Sequence, residues 1–320
     1  MKTRILKLSL LSLVILCVGC GKVQEYPTSV TIPSMQVEVQ PGLESAEEGK
    51  ENIEESTAEN QIEWNDHIQI DFSYDYAADI KADVEYIVAN AASVQEELAD
   101  MEKVVEKYAV LSESAQTQGE MNIASKWLFA IWDAELNNLW SRFSDSADAK
   151  TKERVLAEQR NWIAMKEEVT ITAIGPREEG GSIYPLLENS FLEGITKNRA
   201  YILANELAKV SKESFVLPKR PDYYGVYVDN QGSNSVYSSL LIRQDMEGND
   251  EAVISVYRIG EVAGNFTDNG NGELSFVSYD ENVKGIITIN GWDGASFKVT
   301  EASADAVLTV NEAFEFPFGF

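Results

Sequence analysis

The residues able to carry chemistry are few in kind, and most are carboxylates. Against 53 Asp and Glu the chain has 26 Lys and Arg, one histidine (His67) and two cysteines (Cys17 and Cys20). No serine has a histidine partner in a recognisable catalytic motif, and one histidine and two cysteines are too few for a zinc site built on His and Cys ligands. Some pair of acids must lie at the separation that glycoside hydrolysis uses, but in so acidic a chain such closeness is expected by coincidence. Asp268-Asn269-Gly270-Asn271-Gly272-Glu273 superficially resembles a calcium loop. It lacks the EF-hand spacing and flanking helices, and a β-hairpin turn is the better reading. Neither a metal nor a cofactor is expected, and a non-enzymatic role is. What remains is a set of polar and aromatic residues at helical spacing: Asp133 with Asn137, Gln159-Arg160 with Trp162 and Lys166, and Thr196 with Arg199.

Cys20 has a chemistry of its own. Lys2, Arg4 and Lys7 precede an apolar stretch, Leu8 to Leu16, broken by Ser9 and Ser12, and the small pair Val18-Gly19 leads into Cys20. This is the pattern of a secretory signal, and it is shorter than the about 20 apolar residues that cross a bilayer. Leu16-Cys17-Val18-Gly19-Cys20 resembles the lipobox of bacterial lipoproteins, with Cys17 where Leu is usual. The resemblance implies removal of residues 1–19 and a thioether-linked diacylglycerol on Cys20. The protein is then expected outside the cytoplasm, lipid-anchored to the bacterial cell membrane, or to the outer membrane in a diderm. Two or more acyl chains anchor stably where one does not. An ordinary signal peptide cut elsewhere is the competing reading. With the remaining cysteine acylated, no intrachain disulfide can form, and the fold must stand on its core.

The elements that position the candidates divide the chain. Residues 20–63 have one aromatic (Tyr26), three prolines and an acidic run from Glu44 to Glu63 offset only by Lys50. Such composition cannot offset the entropy of ordering, so a disordered tether is expected. From about 75 to 212 the period is helical. Val94, Leu98, Met101, Val105 and Tyr108 form one apolar stripe; Leu128, Trp132, Leu136, Leu139 and Phe143 form another, widened by Trp127, Ile131 and Trp140. A third helix is expected from about Ala149 to Ile174, ended by Gly175-Pro176, and a last one capped by Ser182 and running to about Ser211. Past Pro218 and Pro221 the period becomes two: Val226 and Val228, Leu240 and Ile242, Ile254 and Val256, Leu274 and Phe276, Phe297 and Val299, and a run at Phe314, Phe316, Phe318 and Phe320. Eight or nine short strands separated by Asn-Gly-rich turns predict a meander closing into a small barrel or sandwich. The expected fold class is α+β and multidomain, an all-α helical bundle at 64–221 followed by an all-β meander at 222–320.

Taken together, Gln118-Gly119-Glu120-Met121-Asn122, Asp133 with Leu136-Asn137, Gln159-Arg160-Asn161-Trp162-Ile163, Gly180-Gly181-Ser182, and Thr196 with Arg199 resemble the LprI-type lysozyme-inhibitor family over about residues 115–207. The resemblance implies an all-helical envelope domain and, in at least one member, inhibition of lysozyme. Many members carry cysteines where this chain has Ala124, Thr170 and Phe191, so this is a cysteine-free branch. Two roles are open to Asp133, Asn137, Gln159, Arg160, Trp162, Gly180, Gly181, Ser182, Thr196 and Arg199. They orient and cap helices, or they form a binding surface; a Trp at helical spacing favours the first. Interhelical ion pairs of Asp133, Arg160 and Arg199 would belong to that packing role.

The formal net charge of −27 becomes about −30 once Lys2, Arg4 and Lys7 leave with the signal. Such a field repels nucleic acid and anionic lipid and attracts cationic partners. The expected function is occlusion of a cationic lysozyme by an anchored protein. The alternative is an envelope scaffold whose β-domain binds a ligand, a glycan or a protein.

Overall fold

The computed structural model describes residues 70–320 except 221, 234, 235 and 246. The expected leader at 1–19, Cys20, the expected tether to residue 63 and His67 lie outside the described residues. Six helices come first: α1 (Ala77–Asn90), α2 (Val94–Ser112), α3 (Gln118–Ser146), α4 (Ala149–Ile174), the single turn α5 (Arg177–Gly180) and α6 (Tyr184–Ser211). Their starts follow the local sequence. Ser93 accepts from the Glu96 amide, Thr117 and Glu120 form a reciprocal capping box, and Asp148 accepts from the Lys150 and Thr151 amides. Gly175, at φ 81°, stops α4 as expected.

α6 starts differently from the expectation. Ser182 is not its N-cap, because it sits inside a 3-10 turn spanning Gly181–Ile183 and lacks the extended backbone that a cap needs. Pro185 in the first turn supplies the preset φ instead. The two apolar stripes face inward with two shifts: Val104, not Val105, continues the buried side of α2, and Trp127, not Leu128, is the buried residue at its place in α3. Trp127, Ile131, Trp132, Leu139 and Phe143 of α3 fill the bundle centre. α3 and α6 are the principal pair, with α1 and α2 packed on α3. Among the described residues no helix is long and apolar enough to cross a membrane.

The second half is a nine-stranded antiparallel sheet in the order β8-β7-β6-β5-β4-β3-β2-β1-β9. The strands are β1 (Gly225–Ser233), β2 (Val236–Gln244), β3 (Asp250–Val256), β4 (Gly260–Asp268), β5 (Glu273–Ser278), β6 (Val283–Ile289), β7 (Ala295–Ala302), β8 (Ala313–Phe316) and β9 (Phe318–Gly319). The phenylalanine run does not form one strand. Proline has no amide for a ladder, and Pro317 splits the run: β8 pairs with β7, while β9 pairs with β1. One continuous segment thereby nearly closes the sheet into a barrel. Its interior is filled by Leu240, Ile254, Leu274, Phe276, Phe297 and Phe316 among others, with Phe276 and Phe297 edge to face at 5.5 Å. Asp268–Glu273 is the β4–β5 hairpin turn, with Gly270, Asn271 and Gly272 all at positive φ.

The two halves meet where α4 packs on β1. Trp162 stacks on Phe320 at 6.4 Å and 7°, the Tyr237 hydroxyl donates to Glu168 at 3.2 Å, and Trp292 Nε1 donates to the Pro218 carbonyl at 2.6 Å.

Candidate functional site

Between α4 and α6 the signature residues form a polar seam in an apolar interface. Arg199 is 6 % exposed and donates through Nε to Gln159 Oε1 at 2.6 Å; Gln159 itself is 2 % exposed. Glu158 lies 3.9 Å from the guanidinium. Arg154 then bridges Glu158, at 2.8 Å, and Glu206, which also accepts from Lys209. Burial pushes Arg199 down to about 10, with Glu158 and Glu206 pulling it back up. Thr196 is fully buried on the same helix, and Thr196 Oγ1 and Gln159 Nε2 have no hydrogen-bond partner among the described residues. Such a seam sets the register of two long helices, because a slip would strand a buried charge.

Asp133 and Asn137 belong to a second cluster. Asn137 Nδ2 donates to the Asp133 carbonyl at 2.7 Å and to its carboxylate at 3.3 Å. Lys166 lies over the Trp162 ring at 4.9 Å and over Phe129 at 5.2 Å. Burial lowers its pKa and raises that of Asp133, and each charge opposes the shift of the other. Trp162 is therefore sandwiched between Lys166 and Phe320, with little ring left for a partner. Arg160 points away. It is exposed and, like Asp133, has no ion-pair partner among the described residues; of the three residues expected in interhelical ion pairs only Arg199 makes one, and its partner is Glu158.

Gly180, Gly181 and Ser182 shape the turn between α5 and α6. A Cβ on Gly180 would run into the Tyr184 side chain, and Gly181 adopts φ 57° and ψ −147°, which side-chain-bearing residues avoid. Asn122 accepts from Gln118 Nε2 through Oδ1 at 2.9 Å and donates through Nδ2 to the Ser182 carbonyl at 2.9 Å. Asn189 Nδ2 donates to Ser125 Oγ at 2.9 Å one helical turn further on. The Gln118–Asn122 motif thus ties the start of α3 to the turn. Of the three residues that the resemblance sets against cysteines, Ala124 and Thr170 are buried, Thr170 Oγ1 bonding the Lys166 carbonyl at 2.6 Å, and Phe191 is half-buried.

Two features escaped the sequence reading. Glu97 and Glu135 are buried between α2 and α3, with Arg142 holding Glu97 bidentately. Burial, then neighbouring Glu97, push Glu135 well above the ordinary carboxylate range, and Arg142 opposes this. The pair is closed to solvent, so no glycan reaches it. Glu97 lies beside Leu98 on the apolar stripe of α2, and a charge at such a position was the available signal. The second feature is an open groove of about 780 Å³ across the outer faces of β2 and β3, bounded by Thr172 of α4 and the β3–β4 turn. Tyr237, Leu241, Arg243, Val253 and Tyr257 are among its lining residues. Among the described residues no cluster of His, Cys, Asp or Glu is arranged to hold a metal ion.

The family model described as lysozyme inhibitor LprI matches residues 111–203. That span holds α3, α4, α5 and most of α6, and it bears out the resemblance carried by the motifs above. No curated protein and no solved structure matches the chain.

Proposed function

We propose that this chain is an extracytoplasmic lipoprotein, anchored through Cys20, that binds a cationic lysozyme and occludes its cleft without doing chemistry itself. The observation that carries the reading is the family match over 111–203, placed on a protein of net charge −27. The acidic field raises the encounter rate with a basic enzyme, and a packed bundle presents a preformed surface. The signature residues mostly pack helices, so the reading asks no chemistry of them. The test is lysis of bacterial cell walls by a cationic c-type lysozyme with and without the chain, at low salt and at about 0.15 M, where the Debye length is about 8 Å. Inhibition that persists at the higher salt and exceeds that of an unrelated protein of equal charge supports the reading; inhibition that matches the control sinks it. Anchoring is tested separately, by following Cys20→Ala and wild type into the detergent phase after bacterial expression. Equal partitioning of the two would remove the anchor.

The groove beside β2 and β3 favours a second reading, a scaffold whose β-part holds a ligand. Its tyrosines, hydroxyls and arginine would suit a glycan. Titration with N-acetylated oligosaccharides, read by chemical-shift changes at Tyr237 and Tyr257, distinguishes it from the first.

A further inference from the structure

The signature motif that draws the eye, Gln159-Arg160 with Trp162, is a poor docking surface in this fold. Gln159, Thr196 and Arg199 are buried, and Trp162 is enclosed by Lys166 and Phe320. Arg160 is exposed but carries the wrong sign for a cationic partner. Of the exposed apolar side chains in the family-matched segment, Met121, Ile123, Ile171, Ile183 and Leu187, three gather at the turn from α5 into α6. Glu178, Glu179, Gly181, Ser182 and Ile183 are all exposed there. Ile183 is 43 % exposed, Leu187 one helical turn further is 39 % exposed, and Met121, next to the Asn122 that ties down the turn, is 40 % exposed.

This turn is rigid as well as exposed. Arg177 lies over the Tyr184 ring at 5.1 Å and pairs with Glu188 at 2.5 Å. Tyr184 is buried beneath Arg177, which Glu188 holds from one helical turn further on. Gly180 leaves room for the Tyr184 side chain, Gly181 permits the positive φ of the turn, and Asn122 holds the Ser182 carbonyl in place. A preformed apolar tip ringed by carboxylates loses little order on binding. Apolar anchors inside a charged rim are what a basic protein surface with a cleft would accept.

We propose that the Arg177–Leu187 turn is the surface by which this chain docks on a cationic lysozyme, with Ile183 and Leu187 at the centre of contact and Glu178 and Glu179 at its rim. The proposal rests on the lysozyme-binding reading above. The test uses the full chain and a cationic c-type lysozyme at about 0.15 M salt, with affinity read by interferometry. Ile183→Asp and the double variant Glu178→Lys/Glu179→Lys should each weaken binding by about tenfold or more. The charge-matched pair Glu247→Lys/Glu273→Lys, on exposed β-part positions, should change it by no more than about twofold. Hydrogen exchange on the wild-type complex should show new protection across 177–187, a readout that does not depend on any variant folding. If the turn variants bind as wild type and protection falls elsewhere, the turn is not the contact, although lysozyme binding stands. If both charge doubles weaken binding alike and Ile183→Asp does not, attraction is diffuse and the turn is again overturned. If wild type binds no better than an unrelated acidic control, both this proposal and the function beneath it fall.

Discussion

Single residues in the α4–α6 seam and the α2–α3 core have opposite dependences on their neighbours. Gln159→Leu removes the hydrogen-bond acceptor of Arg199 Nε and should cost about 1–3 kcal/mol, the penalty of an unmet buried donor. Adding Arg199→Met removes that donor too, so the double variant should lose less than the sum of the singles in urea denaturation. Additive losses would mean that the two side chains do not depend on each other. Glu135 behaves in the reverse sense. Its folded pKa is raised above the ordinary 4.5 by burial and by Glu97, with Arg142 opposing. Its contribution to stability is therefore whole below about 4.5 and lost as pH rises toward the folded value. Glu135→Gln escapes that loss, so its stability relative to wild type should climb between pH 4.5 and 8, at no more than about 1.4 kcal/mol per pH unit. A difference that stays flat with pH would show that Glu135 does not titrate in this window. Neither feature was plain in the sequence. Gln159 and Arg199 were legible as signature residues, but their pairing spans 40 positions, and only the packing of two helices brings them together. Glu135 falls among the apolar residues of α3, where its burial depends on what α2 places opposite.

At the scale of elements, local rules carried most of the prediction and failed where two of them competed. Thr117, Asp148 and Gly175 sit at helix ends because caps and glycine stops act within a few residues. Ser182 has the composition of a cap, yet the 3-10 turn ahead of α6 places it one step inside the helical backbone. The phenylalanine run has the period of one strand, yet Pro317 makes it serve both edges of the barrel. Closure of that kind is a property of the whole sheet, so the alternation alone left barrel and sandwich equally open. The α5–α6 turn gives a test at this scale. Gly181→Ala must hold φ 57° with ψ −147°, a region essentially reserved for glycine, and should cost about 1–3 kcal/mol. In a fold of this size that lowers the melting temperature by about 2–4 °C per kcal/mol. Gly194→Ala, where an added Cβ meets nothing within 4 Å, should leave the melting temperature level or raise it. A Gly181→Ala protein as stable as wild type would show that the turn relaxes freely, and the rigidity ascribed to it would be wrong.

For the molecule as a whole, the open question is whether helices and barrel fold as one body. Their cores are built from different residues. The barrel cluster runs from Tyr227 to Phe316 without a helical member, while the bundle buries Leu98, Ile131, Trp132, Leu203 and their neighbours. Between α6 and β1 the described residues are neither helix nor strand, and Glu213, Ser214, Pro218 and Lys219 are exposed. Across the junction run the Trp162–Phe320 stack, the Tyr237–Glu168 hydrogen bond and the bond from Trp292 to Pro218. We propose that each half folds by itself, with these contacts as a docking interface, as expected when two cores are joined by an exposed link. Limited trypsin digestion of the full chain should then cut near Lys219 and leave two resistant fragments. Calorimetry should resolve two transitions, and Phe320→Ala, which removes the ring stacked on Trp162, should draw them further apart without abolishing either. Far-ultraviolet dichroism offers an independent separation, since the helical signal and the strand signal would be lost at different temperatures. A single transition in both measurements, lowered as a unit by Phe320→Ala, would mean that the interface fuses the halves into one cooperative core. The barrel would then be part of what holds the family-matched helices in shape, and the α5–α6 turn would owe its geometry to both.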